Sequence, residues 1–110
     1  MTDYRPPLDD IRFTLRKVAD LDALASLPGF EHADPELVDG LLDEAARFFA
    51  EVVAPTNRDG DTTGAVHNAD GSVTTAPGHA KAYERYVDAG WGGLGFPEEH
   101  GGGGFPWLLV

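Results

Sequence analysis

The sequence has no cysteine, which excludes disulfides and thiolate chemistry and suits a cytosolic protein. It has no apolar run approaching the roughly 18 residues that a membrane-spanning helix needs. Its start, Met1-Thr2-Asp3-Tyr4-Arg5-Pro6-Pro7, shows no basic region followed by a long apolar stretch, so no secretory signal is expected. Positive charge is scarce. Eight basic residues stand against 19 acidic ones, for a net charge of −11. Such a surface repels phosphate backbones and anionic membranes, so nucleic acid is not an expected partner. What remains is ordinary for a folded chain: 25% charged residues, and 42% hydrophobic residues over 110 positions, enough for a modest core of marginal stability.

Apolar residues fall at Leu8, Ile11, Leu15 and Val18, then at Leu21, Leu24 and Leu27. Spacings of three and four predict helix. Asp20 is placed to break the run and cap a second short helix, and Pro28-Gly29 ends it. The clearest element follows. Asp34 is an expected N-cap, Pro35 suits the first helical position, and Glu36 favours the positive end of the helix dipole. Leu37, Val38, Leu41, Leu42, Ala45, Phe49, Val52 and Val53 form an apolar stripe, so an amphipathic helix of about five turns is expected, with Pro55 near its end. Gly40 costs that helix roughly 1 kcal/mol and points to a closely approaching neighbour.

From Thr56 to Ala76 the pattern turns polar. Asp59-Gly60-Asp61 reads as a loop. Asp70-Gly71 between Val66 and Val73 reads as a tight turn in a small hairpin or irregular loop around residues 65–75. Pro77 is expected to start another helix, with Ala80, Tyr83 and Val87 inward and Gly90 as its C-cap. Gly101 to Gly104 follow, and Phe105-Pro106-Trp107-Leu108-Leu109-Val110 reads as the first turn of a further helix, cut at a truncated boundary. Leu108, Leu109, Val110 and part of the long helix's apolar face are therefore expected to lack partners and leave an exposed patch. The predicted fold class is all-α.

No catalytic pattern emerges. The glycine run lacks the Lys-Ser or Lys-Thr of a phosphate loop and the G-x-G-x-x-G of a dinucleotide site, and Glu98 and Glu99 would repel phosphate. A tight, close-packed connection explains it better. His32, His67, His79 and His100 lack metal-ligand spacing and read as surface or loop residues. Glu98-Glu99 reads as solvated loop rather than an acid–base pair. Asp59 and Asp61 lack the downstream ligand of a calcium loop. Asp3, Asp9 and Asp10 read as cap or turn residues, and Ser26 and Ser72 have no histidine pattern that would make either a nucleophile. Phe48, Phe49, Tyr83, Tyr86, Trp91, Phe96, Phe105 and Trp107 read as core or interface before they read as a flavin or fatty pocket.

Several blocks nonetheless resemble the acyl-CoA dehydrogenases. They are Tyr4-Arg5-Pro6-Pro7-Leu8-Asp9-Asp10-Ile11-Arg12-Phe13-Thr14-Leu15 and Leu24-Ala25-Ser26-Leu27-Pro28-Gly29-Phe30, then Val53-Ala54-Pro55-Thr56-Asn57 with Gly60-Asp61 and Gly64. Ala89-Gly90-Trp91-Gly92-Gly93-Leu94, Pro97-Glu98-Glu99-His100-Gly101-Gly102 and Phe105-Pro106 complete the series. In their order, and over nearly the whole chain, they are similar to the amino-terminal part of the longer bacterial subfamily that includes 3-methylmercaptopropionyl-CoA dehydrogenases. Gly103-Gly104 departs from it, where Gln-Gly-Leu-Pro is more usual than Gly-Gly-Phe-Pro.

The resemblance implies an incomplete N-terminal helical domain (34–110) behind an N-terminal extension of short helices (1–33). It implies α,β-dehydrogenation of acyl-CoA thioesters by the whole enzyme, with FAD as its cofactor and an electron-transfer protein as redox partner. The catalytic glutamate and the main flavin contacts belong to other regions of that family. No catalytic, cofactor-binding or metal residue is therefore assigned to this chain, and alone it is expected to bind no cofactor and to be inactive. Its expected partner is the remainder of the dehydrogenase or its other subunits, and its expected compartment is the cytoplasm. The competing expectation is a stand-alone acidic helical module that binds a partner protein through its apolar stripe.

Overall fold

A computed structural model describes residues 4–110; Asp3, read above as a cap or turn residue, lies outside them. The chain is all-α with one small hairpin. Its first helix, α1 (Leu8–Phe13), widens into a π turn over Thr14–Val18. Asp20 then takes the left-handed conformation (φ 54°), and its carboxylate accepts the Ala23 amide to cap α2 (Leu21–Ala25). Ile11 and Leu15 face inward, but Val18 is 72% exposed. A π turn holds more residues than an α turn, so a three-residue step no longer returns to the same face.

Asp34 caps α3 (Pro35–Phe48) by accepting the Leu37 amide at 3.0 Å, with Pro35 in the first turn. The rod does not end at Pro55. It loosens into a π turn over Phe49–Val53, tightens into a 3-10 turn over Ala54–Thr56, and resumes as α4 (Asn57–Thr62). Proline cannot donate to the carbonyl four residues back and its ring crowds that carbonyl. The change of pitch absorbs both problems, and the Thr56 hydroxyl donates to the Val53 carbonyl at 2.8 Å. Asp59-Gly60-Asp61 is thus helical, not a loop. Gly40 also departs from expectation, since a Cβ there would meet nothing within 4 Å.

The hairpin pairs β1 (Val66–His67) with β2 (Val73–Thr74) in antiparallel register, Val66 opposite Thr74 and His67 opposite Val73. Gly71 donates to the Asn68 carbonyl, and among the turn residues only Gly71 has positive φ. The connection is therefore a longer turn closed by a left-handed glycine, not a two-residue turn with both positions at positive φ. Asp70 fastens it by accepting from the Ser72 amide and hydroxyl.

The last helix, α5 (His79–Asp88), begins after left-handed Gly78 rather than at Pro77. Ala82 is buried and His79 and Tyr86 are half-buried, whereas Ala80, Tyr83 and Val87 are exposed. The inward face is thus turned from the expected one. Gly90, at φ 79°, stops the helix by donating to the Val87 carbonyl, a left-handed glycine terminus. Short 3-10 turns follow at Trp91–Gly93, Glu98–His100 and Trp107–Leu109.

The core is thin. Leu15, Leu21, Ala33 and Val38 form one buried cluster, against which Ile11, Leu42, Phe105 and Leu109 pack. Leu109 has found partners, while Leu108 and Val110 remain 37% and 65% exposed. The radius of gyration is 17.1 Å, over extents of 54 × 34 × 19 Å, against about 13 Å for a compact chain of this length. Among the described residues six apolar side chains are fully buried, and the others are half-buried or exposed.

Candidate functional site

The glycine run is the tightest place in the structure. Gly102, Gly103, Gly104 and Phe105 donate their amides to the carbonyls of Pro97, Gly93, Phe96 and Leu94 at 2.9–3.0 Å. A Cβ on Gly102 would lie 2.1 Å from the Phe96 oxygen. Only glycine lets two backbones come this close. These amides are spent on carbonyls, and Glu98 lies against Gly104, so the run is a packed connection and holds no anion cradle. His32 clamps it from the other end of the chain. Its Nε2 lies 3.2 Å from the Gly103 oxygen and its ring 4.8 Å from that of Phe105. A carbonyl can only accept, so the imidazole carries its hydrogen on Nε2.

A second structural histidine sits at the start of α5. His79 Nε2 donates to the Thr56 carbonyl at 3.2 Å and its ring abuts Gly60, locking α5 to the turn that Pro55 forces. Around it opens a shallow hollow of about 970 Å³, lined by Tyr4, Phe49, Val53, Asn57, Arg58 and Asp61 among others. Its lining carries both charges, from Arg58 and Asp61.

The aromatic residues divide. Phe48 meets Phe49 edge-on at 5.6 Å, Tyr86 at 6.4 Å and Trp91 at 5.9 Å, and Tyr83 stacks on Tyr86 at 6.3 Å. Phe105 belongs to the His32 clamp, while Phe96 and Trp107 are 54% and 72% exposed. Beside the cluster lies an apolar trough of about 380 Å³. Ile11 and Leu15, the α3 residues Leu41, Leu42 and Ala45, Phe49 of the π turn, then Tyr86, Trp91, Leu94, Leu108, Leu109 and Val110 line it. The Trp91 indole N–H is buried without an acceptor among the described residues; such a group normally has one.

α1 is fastened along the trough's edge by charge. Arg12 bonds Asp39 at 3.1 Å and Asp43 at 2.7 Å, and Arg16 pairs with Asp39. Elsewhere the polar groups do local work. Hydrogen bonds from its own amide and that of Gly29 lower the Glu31 carboxyl below its ordinary value. The Ser72 hydroxyl, then its amide, does the same for Asp70.

The remaining candidates stay apart. Glu98, Glu99 and His100 are exposed, with His100 3.7 Å from Glu99. Ser26 donates to the Ala23 carbonyl, Ser72 to Asp70, and His67 lies on the exposed hairpin. Among the described residues no three histidine or acidic side chains gather where a metal ion would need them, and no helix is long and apolar enough to cross a membrane. The sequence reading took His32 and His79 as surface or loop residues; His32 does lie in a loop and His79 opens α5, and both are half-buried clamps. The partners of each are remote in sequence and no local signal announces them.

No family model matches this sequence. The chain is similar to the 3-methylmercaptopropionyl-CoA dehydrogenase of Ruegeria pomeroyi, with 34% identity over 103 residues. The similarity takes in 94% of this chain and 17% of that protein, so the chain spans about one-sixth of the length of the relative it matches.

Proposed function

We propose that this chain is the amino-terminal helical part of an FAD-dependent acyl-CoA dehydrogenase, and that it serves as scaffold and as a wall of the acyl-binding cavity rather than as a catalyst. The observation that carries the reading is the similarity along 94% of the chain to a protein that bears such an activity in its name. In this reading residues 1–33 are an extension and 34–110 belong to the helical domain. The buried cluster of Leu15, Leu21, Ala33 and Val38 straddles that division, so the two parts fold as one.

The residues present do not fit FAD. The glycine amides that a pyrophosphate would use are bonded to carbonyls, and a chain of net charge −11 repels polyanions. Flavin and the phosphates of coenzyme A are therefore held by the rest of the enzyme, as is the base that removes the α-proton. The chain's own share is apolar: the trough beside α3 and the aromatic cluster offer surface to an acyl group or to a neighbouring element. Whole, the enzyme works in the cytoplasm and passes its electrons to a second protein.

The test is a graft. This chain replaces the matching segment of the Ruegeria pomeroyi relative, and flavin content and acyl-CoA oxidation are measured. A yellow, active chimaera supports the reading, and a colourless, inactive one made soluble to the same level opposes it. Titration of the isolated chain with FAD is the companion experiment; tight binding there would overturn the placement of the flavin site.

A further inference from the structure

The chain carries the dipeptide Asp-Gly three times, at Asp39-Gly40, Asp59-Gly60 and Asp70-Gly71. Aspartate before glycine readily closes into a cyclic imide, because no side chain shields the glycine nitrogen. Closure needs the aspartate ψ to swing until that nitrogen faces the side-chain carboxyl carbon. The fold treats the three pairs differently. Asp39 and Gly40 lie inside α3, where ψ is held at roughly −40°, and Arg12 and Arg16 occupy the Asp39 carboxylate. Freeing ψ there means unwinding the helix that gives Val38 to the core. Asp59 and Gly60 lie inside α4; their carbonyls accept the Thr63 and Gly64 amides, and the His79 ring rests on Gly60. Asp70 and Gly71 lie in the hairpin turn. Both are exposed, the flanking strands are two residues long, and every strand residue is exposed as well. A hairpin of this size is marginal by itself, and local opening is easiest where little is buried.

We propose that Asp70-Gly71 is a site of spontaneous backbone modification, at which Asp70 turns into isoaspartate while the helices spare the other two pairs, and that the Ser72 hydroxyl slows the change. In the first step the Gly71 nitrogen bonds to the Asp70 carboxyl carbon. The nitrogen gives up its hydrogen and the carboxyl its hydroxyl, and they leave as water. Water then opens the imide. Attack at the side-chain carbonyl returns aspartate. Attack at the main-chain carbonyl leaves the chain running through the side-chain carbon, one methylene longer, with a free α-carboxylate. Mass and charge end unchanged, and no oxidant or cofactor is consumed. The contacts that oppose the first step are the Gly71 amide on the Asn68 carbonyl and the Ser72 amide and hydroxyl on the Asp70 carboxylate. All of them lie within the turn and are lost together when it opens. The hydroxyl also favours the ionised carboxylate, which has no hydroxyl to expel and closes more slowly than the acid. The added methylene moves Gly71 and Ser72 out of step with Asn68, so the pairing of Val66 with Thr74 and of His67 with Val73 is lost. The buried cluster takes no residue from the hairpin and keeps its packing. The inference draws on this turn alone and does not depend on the dehydrogenase reading.

The test ages the full chain in mildly acidic buffer, with a second sample aged in urea. Electron-transfer fragmentation of the peptides then locates isoaspartate, which it cleaves at the Cα–Cβ bond. In the folded chain Asp70 is expected to convert at least about tenfold faster than Asp39 and Asp59. In urea the three rates should fall within about threefold of one another, because each aspartate then precedes glycine in an open chain. Ser72→Ala should speed conversion at Asp70 at least about threefold in the folded chain and leave Asp39 and Asp59 slow, a pattern that general unfolding cannot imitate. Equal rates at the three pairs in the folded chain, a lead at Asp39 or Asp59, or no conversion at Asp70 while the urea sample converts would each overturn the proposal. A lead at Asp70 that persists in urea would do the same, since sequence and not fold would then select the site. An Asp70 rate in Ser72→Ala no higher than the parent's would overturn the role of the hydroxyl.

Discussion

His32 and Gly103, 71 positions apart in the chain, meet at 3.2 Å through an imidazole N–H and a carbonyl oxygen. The contact joins the loop before α3 to the glycine run near the end, and the Phe105 ring packs on the same imidazole. With so small a buried core, one such link is a sizeable part of what holds the two ends together.

Replacing His32 with alanine should lose the hydrogen bond and the ring contact, about 1–2 kcal/mol in all. His32→Phe keeps the packing and loses the bond, so it should fall between the two. Urea unfolding followed by circular dichroism measures both; an unchanged midpoint in His32→Ala would remove the clamp from the account.

Two glycines should answer an alanine substitution with opposite signs. At Gly40 a methyl group meets open space within α3, so Gly40→Ala should stabilise by roughly 1 kcal/mol. At Gly102 the methyl carbon would collide with the Phe96 oxygen, and relieving that clash requires backbone movement, at a cost on the order of 2–3 kcal/mol. Thermal melts of the two variants side by side check the contrast.

Asp20 is the one non-glycine residue with positive φ among those described, and it also caps α2. Asparagine tolerates the left-handed region and still accepts the Ala23 amide, so Asp20→Asn should be nearly neutral. Asp20→Ala loses the cap and keeps the strain, and should cost about 1–2 kcal/mol. A loss in the asparagine variant as large as in the alanine variant would show that the negative charge, not the geometry, matters.

The Asp70 carboxyl is held below its ordinary value by the Ser72 hydroxyl and amide. A depressed folded-state value contributes stability above the unfolded value near 4, and that contribution disappears as pH falls through the folded value. Ser72→Ala removes the hydroxyl, so the Asp70 titration midpoint should rise, as a carboxyl-carbon NMR titration would record. Identical midpoints in variant and parent would assign the shift to another cause.

The local rules were legible in the sequence and the distant ones were not. Asp20 and Asp34 are caps because a short acceptor stands just before an apolar run, a relation within three residues. Gly90 is legible as a stop for the same reason. Pro55 misleads, because proline ends most helices and here a π turn and a 3-10 turn carry the chain past it into α4. The inward face of α5 is set by where His79 finds the Thr56 carbonyl, 23 residues back, and periodicity within the helix cannot see that. The trough arises only when α1, α3, α5 and the final turn come together, so no single segment displays it.

The 17.1 Å radius of gyration carries a consequence for hydrodynamic work. By the scaling that gives about 13 Å for a compact chain of 110 residues, 17.1 Å corresponds to a compact chain of about 220. A slab of these proportions meets more drag than a sphere of its own mass, although friction grows more slowly with elongation than the radius of gyration does. On a sieving column calibrated with rounded standards, one chain would leave somewhat ahead of its own mass. Its elution position therefore measures its outline, and the number of chains has to be counted by a method that weighs them.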